Sequence, residues 1–90
     1  MRNYLLDFGG IESKKDAYQY IGERLSFPDY YGRNADALHD CLTDMRQSRF
    51  IIRNGSKLEE IGAGVILTVF RDVAKARKWK YKLIELDDGQ

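Results

Sequence analysis

The chain has few residues that could cross-link it, stiffen it or anchor it. One cysteine, Cys41, excludes an internal disulfide. One histidine, His39, leaves no pair of imidazoles for general acid–base work, and no glycine-rich phosphate loop or nucleophile motif occurs, so catalysis is not expected. No apolar run approaches membrane-spanning length, and the N-terminus lacks the hydrophobic segment of a signal peptide, which makes the cytoplasm the expected compartment. There is no repeat, low-complexity tract or linker. The net charge of +1 gives the whole molecule no strong preference among partners.

What is present is the composition of a globular protein, 43% hydrophobic and 32% charged over 90 residues. That length implies one domain over 1–90 and burial of roughly 60–65% of the unfolded surface, enough for one small core. The charge is unevenly placed. Residues 26–46 carry four Asp against two Arg, while residues 71–82 carry six Lys or Arg against one Asp. Two regions of opposite field are expected.

The most informative stretch is FPDYYGRNADALHDCLTD, residues 27–44. The only proline, Pro28, biases Phe27 away from helix, and Gly32 allows a turn that a side chain would obstruct. Asn34 is placed to cap a helix. Ala37, Leu38, Cys41, Leu42 and Met45 then recur at helical spacing as a buried stripe, which makes Cys41 a packed thiol. Asp36, Asp40 and Asp44 form a second stripe, each four residues from the last. Like charges at that spacing oppose one another by a few tenths of a kcal/mol. Asp36 suits the positive end of the helix dipole, Asp40 gains little from it and Asp44 sits against it. A solvated face is the ordinary account. A carboxylate row beside an aromatic loop, Tyr30 and Tyr31, is also what a basic partner would require.

Elsewhere, the apolar run at 3–8 ends at Gly9-Gly10 and predicts a strand covered on both faces or nearly so. Ser13 with Asp16 predicts a capped helix over about 14–25. Residues 50–52, stopped by Asn54-Gly55, predict a second strand. Ser56 with Glu59 is a capping box opening a short helix through Ile61, broken by Gly62 and Gly64. A helix follows over about 65–78, with its apolar face at 66, 67, 70, 73 and 74, and a third strand over 80–86. Strands separated by helices imply parallel pairing with right-handed crossovers. The expected fold is therefore a two-layer α/β domain with a small three-stranded parallel sheet.

Pro28, Tyr30-Tyr31-Gly32, Asn34, Asp36-Ala37-Leu38 and Asp40-Cys41-Leu42-Thr43, with Asp29 at an acidic position, make a compound pattern. It resembles the barstar family of intracellular ribonuclease inhibitors, and Val69-Phe70-Arg71 followed by Asp72 repeats a later family motif. The resemblance covers nearly the whole chain and implies the same three-stranded fold. It implies occlusion of the active site of a small basic bacterial ribonuclease, one to one, protecting the producing cell. No cofactor or metal is implied. Tyr30 would stack on the catalytic site, Asn34 would bond at its rim, Asp36 and Asp40 would meet its basic residues, and Thr43 would support the edge. The implied contact surface is Tyr30, Tyr31, Gly32, Asn34, Ala35, Asp36, His39, Asp40, Thr43, Asp44 and Asp72. His39 and Met45 stand where the family has Trp, and Asp72 where it has Glu, which implies a different cognate nuclease.

Rival readings are weaker. Asp36, His39 and Asp40 sit at spacings that can converge on a metal, but surface chance accounts for most such triplets. Residues 75–82 mix cations with aromatics, which can grip phosphates and stack bases. Their ordinary account is a cation-favoured helix end followed by a strand with solvated lysines and a packed Trp79, so nucleic acid is not the expected partner. A third reading keeps the fold but gives it another protein partner.

Overall fold

The computed structural model describes residues 2–28 and 32–86. The order of elements is β1 (Arg2–Asp7), α1 (Lys14–Arg24), α2 (Ala35–Thr43), β2 (Ser48–Arg53), α3 (Ser56–Glu60), α4 (Val65–Ala76) and β3 (Tyr81–Leu86). The strands form a parallel sheet in the order β1-β2-β3. Tyr4 lies beside Phe50 and Phe50 beside Leu83, while Leu5, Ile51 and Ile84 make the next row. Because side chains alternate across a strand, those rows face opposite ways.

The helices cover one face. Leu6, Phe50, Ile52 and Tyr81 are buried there, against Ile21 of α1, Leu38 and Leu42 of α2, and Ile66, Phe70 and Val73 of α4. Phe50 is at the centre, its ring 6.0 Å from Tyr4, 5.3 Å from Phe70 and 5.8 Å from Tyr81. Full burial of such a side chain stabilises by about 1.5–3 kcal/mol. The thinnest extent of the molecule is 18 Å, room for one helix of about 10 Å diameter beside one sheet. The expectation that β1 is covered on both faces or nearly so is therefore wrong. Leu5 is 42% exposed on the far face, because the described helices form one layer and cover only the other face.

The outer edge of β1 is closed by α1 instead. Arg24 donates from Nε and Nη2 to the Leu5 carbonyl at 3.3 and 3.1 Å, and the Asp7 N–H donates to the Tyr20 hydroxyl at 3.0 Å. These contacts occupy backbone groups that would otherwise invite another strand.

Helix α1 starts as the sequence predicts, with Ser13 Oγ accepting from the Asp16 N–H at 3.1 Å. It ends in a Schellman turn. Phe27 N–H reaches back to the Gly22 carbonyl and Ser26 N–H to Glu23, with Ser26 left-handed at φ 57°. Helix α3 departs from expectation. Its cap is Gly55, without a side-chain bond, and Ser56 is already helical. The carbonyls of Asn54 and Gly55 accept from Lys57 and Leu58 instead, after Asn54 turns the chain at φ 57°. Gly62, at φ 79°, then separates α3 from α4.

Candidate functional site

Helix α2 is the element that the acidic stripe and the loop before it single out. Tyr30 and Tyr31 lie outside the described residues. From Gly32 onward the local geometry is defined. Asn34 is extended at φ −140°, and its Oδ1 accepts from the Ala37 N–H at 2.8 Å, the expected cap. Its Nδ2 donates to the Gly32 carbonyl at 3.3 Å. The residue that turns left-handed is Arg33, at φ 54°, rather than Gly32. Gly32 matters for space, since a Cβ there would stand 3.1 Å from Asn34 Nδ2. Asn34 is thus occupied at both ends of its amide in shaping the start of the helix.

The apolar stripe falls where expected. Leu38 and Leu42 are fully buried, and Ala37, Cys41 and Met45 are half-buried. The Cys41 thiol is pushed up from its ordinary value, first by burial and then by the charges of Asp44 and Asp40, which keeps it protonated and unreactive at neutral pH.

The C-terminal end of α2 is held by residues that sequence reasoning missed. Buried Tyr81 places its hydroxyl 2.5 Å from the Leu42 carbonyl and 2.9 Å from that of Met45. Lys80 Nζ donates to the Thr43 carbonyl at 3.2 Å and lies 5.2 Å from the centre of the Tyr81 ring. The Thr43 carbonyl ends the helix without a backbone partner of its own among the described residues, the Leu42 carbonyl also accepts from the Met45 N–H at 3.2 Å, and Met45 lies just past the cap. A cation suits the negative end of the helix dipole. No local pattern could have revealed this, because both residues lie at the far end of the chain.

The face of α2 away from this seam is bare. Asp36, Asp40 and Asp44 are exposed, the Asp40 side chain at 85%, and none of them pairs with a lysine or arginine among the described residues. His39, 52% exposed, has Nδ1 3.9 Å from Asp40 Oδ1. Among the described residues no group of three or more His, Cys, Asp or Glu could hold a metal, so the Asp36–His39–Asp40 triplet does not gather into a site. Ala35 is half-buried beside the core. Thr43 is also half-buried, its Oγ1 donating to the Asp40 carbonyl at 2.8 Å. Asp72 is exposed on α4, the helix against which α2 packs. The structure thus brings Asn34, Asp36, His39, Asp40, Thr43 and Asp44 onto one helix and its caps. Among the described residues, no helix is long and apolar enough to cross a membrane.

Known proteins can be set against this geometry. A protein of Bacillus subtilis strain 168 named "Putative ribonuclease inhibitor YrdF" is 46% identical over 43 residues, which is 48% of this chain and 47% of that protein. The chain therefore aligns with about half the length of that curated relative. The model of the family described as Barstar (barnase inhibitor) matches residues 1–85. With a match of that extent, and with the three-stranded parallel sheet and helical layer in place, this chain belongs to the barstar family.

Proposed function

We propose that the chain is a ribonuclease inhibitor rather than an enzyme, and that it blocks its target by laying α2 and the preceding loop into the active site. The observation that carries this reading is the row Asp36, Asp40 and Asp44, exposed on a helix fixed at both ends and unneutralised by any described lysine or arginine. A ribonuclease holds RNA phosphates with cationic side chains. Carboxylates set at successive helical turns stand in for those phosphates, and charge-assisted hydrogen bonds to guanidinium or ammonium groups are the strong kind. Because α2 is already held at both ends in the free chain, little ordering cost is expected on binding.

The partner is a small basic bacterial ribonuclease bound one to one, and the inhibitor acts as a single domain in the cytoplasm of the producing cell. Its surroundings give Asn34 the task of positioning the helix start, while Asp36 and Asp40 make the direct contacts. Tyr30, Tyr31 and Gly32 bring the loop to the partner. Ala35, His39, Thr43, Asp44 and Asp72 complete the surface.

The test is titration of a small basic bacterial ribonuclease with the purified chain while RNA cleavage is followed. A one-to-one endpoint is expected, with weaker inhibition as salt rises. RNA cleavage by the chain itself, lost in His39→Ala, would overturn the reading.

A further inference from the structure

The cations of residues 75–82 have an ordinary explanation only in part. Lys75 lies in the last turn of α4, where the helix dipole favours it. That effect fades beyond the last turn and does not reach Lys82, which is already in β3. The other half of the explanation fails outright, since Trp79 does not pack. It stands 73% exposed on the turn between α4 and β3.

Beside it, α4 and β3 flank an open groove of about 540 Å³. Lys75 lines it from the last turn of α4, Lys78 from the turn that follows and Lys82 from the strand, together with Ala74, Tyr81 and Leu83. None of these three lysines makes an ion pair or hydrogen bond among the described residues. The nearby acid, Glu85, is taken by Arg71, which also lines the groove. Its Nε and Nη2 donate to the two carboxylate oxygens at 3.0 and 2.7 Å. Lys80 differs from its neighbours because it is engaged at the end of α2. Three lysines without an ion pair among the described residues therefore border one groove, and the exposed Trp79 is the chain neighbour of one of them, Lys78.

We propose that this groove and Trp79 bind single-stranded RNA without sequence preference. The lysines meet phosphates as point charges, and the indole stacks on a base. A duplex offers no unstacked base to Trp79, and a phosphate compound without a base would not engage it. The acids of α2 repel the same strand, so the two surfaces take different partners and this inference does not rest on the inhibitor reading.

The test uses the full chain and a fluorescein-labelled oligouridylate of about ten nucleotides. Anisotropy reports binding, and the fluorescence of Trp79, the only tryptophan in the chain, reports stacking. Binding with quenching is expected. Three phosphate contacts give a salt slope of about −2 on logarithmic axes, roughly a 20-fold loss between about 50 and 200 mM salt. Lys78→Ala, at an exposed position, should bring the slope about 0.7 nearer zero. Trp79→Phe should weaken binding less than Trp79→Ala, and Asp40→Ala should leave RNA affinity no lower. The proposal fails if no binding occurs at about 50 mM salt, if the strand binds with Trp79 unquenched, or if lysine substitutions in the groove leave affinity unchanged. Inorganic polyphosphate binding as tightly as the oligonucleotide would also overturn it, because the groove would then be a general anion site.

Discussion

The two ends of α2 are held by opposite means. At the N-terminus everything is local: Arg33 turns the chain, and Asn34 bonds to Ala37 on one side and Gly32 on the other. At the C-terminus the carbonyls of Leu42, Thr43 and Met45 meet Lys80, in the turn before the last strand, and Tyr81, its first residue. A local cap determines where a helix begins but says nothing about where it sits against the core. The distant clamp supplies that placement. Between the two ends, the acidic face is exposed and pairs with no lysine or arginine among the described residues.

The largest effect should come from that free face. Asp40→Ala removes like-charge contacts with Asp36 and Asp44 and installs the best helix former, so folding stability should hold or rise by a few tenths of a kcal/mol. Binding to the ribonuclease should weaken by roughly 2–5 kcal/mol, because a cation of the partner is left buried and unpaired. This range comes in part from a complex within the same family, rather than from the geometry of α2. It corresponds to about 30-fold to several thousand-fold in affinity, mostly as faster dissociation. Thermal melts and binding kinetics on the same pair of proteins check it. A lowered melting temperature with unchanged dissociation would make Asp40 structural and remove the contrast between face and ends.

Next in size is the distant clamp. Tyr81→Phe keeps the ring beside Phe50 but takes the hydroxyl from the carbonyls of Leu42 and Met45. The Leu42 carbonyl keeps the Met45 N–H at 3.2 Å, so the loss falls on the Met45 carbonyl. One unsatisfied buried acceptor costs about 1–3 kcal/mol, to be read from urea unfolding. If the clamp sets the position of α2, inhibition should weaken too, even though Tyr81 is buried and touches no partner.

The local cap should matter less. Asn34→Ala is expected to cost about 1 kcal/mol, and Asn34→Asp or Asn34→Ser to recover most of it. A cost for Asn34→Ala exceeding that of Tyr81→Phe would reverse the comparison.

The same division explains what could be read from the residues alone. The caps at Ser13 and Asn34 are contained within a few positions, and so are the buried stripe of α2 and the strand–helix alternation that implies the parallel sheet. Each was legible. The Tyr81 clamp joins residues more than thirty positions apart and left no local trace. The misses have the same origin. Ser56 with Glu59 matched a capping box, but the left-handed turn at Asn54 started the helix one residue earlier on backbone carbonyls. The apolar run at β1 and the tryptophan at 79 both suggested burial. Among the described residues no second helical layer covers Leu5, and Trp79 fell on a turn. Of the candidate site, the acidic row was readable because helical spacing alone puts Asp36, Asp40 and Asp44 on one face. The means of holding that face in place was not.

The smallest expected effect is at Asp7, where local and distant holding meet in one carboxylate. Its Oδ1 accepts from the Gly9 N–H, two residues on, and from Asn54 Nδ2 at the end of β2, both at 2.9 Å. The Asn54 bond first, then the Gly9 bond and the charge of Arg53, hold the carboxyl below its ordinary value against a smaller opposing push from burial. The folded form therefore binds its proton more weakly than the unfolded chain, and stability rises with pH through this window. The contribution is complete above the ordinary carboxylate value of 3.8 and is lost as pH falls through the lower folded value. Asp7 is exposed, so water screens much of the gain. The urea midpoint of the wild type should fall more steeply than that of Asp7→Asn as pH drops from about 5 to about 2.5, other carboxylates being common to both. High salt at neutral pH should weaken only the Arg53 share, since the two hydrogen bonds are short-ranged. Parallel pH curves for the two proteins would mean that the Asp7 bonds join the ends of β1 and β2 without stabilising the fold.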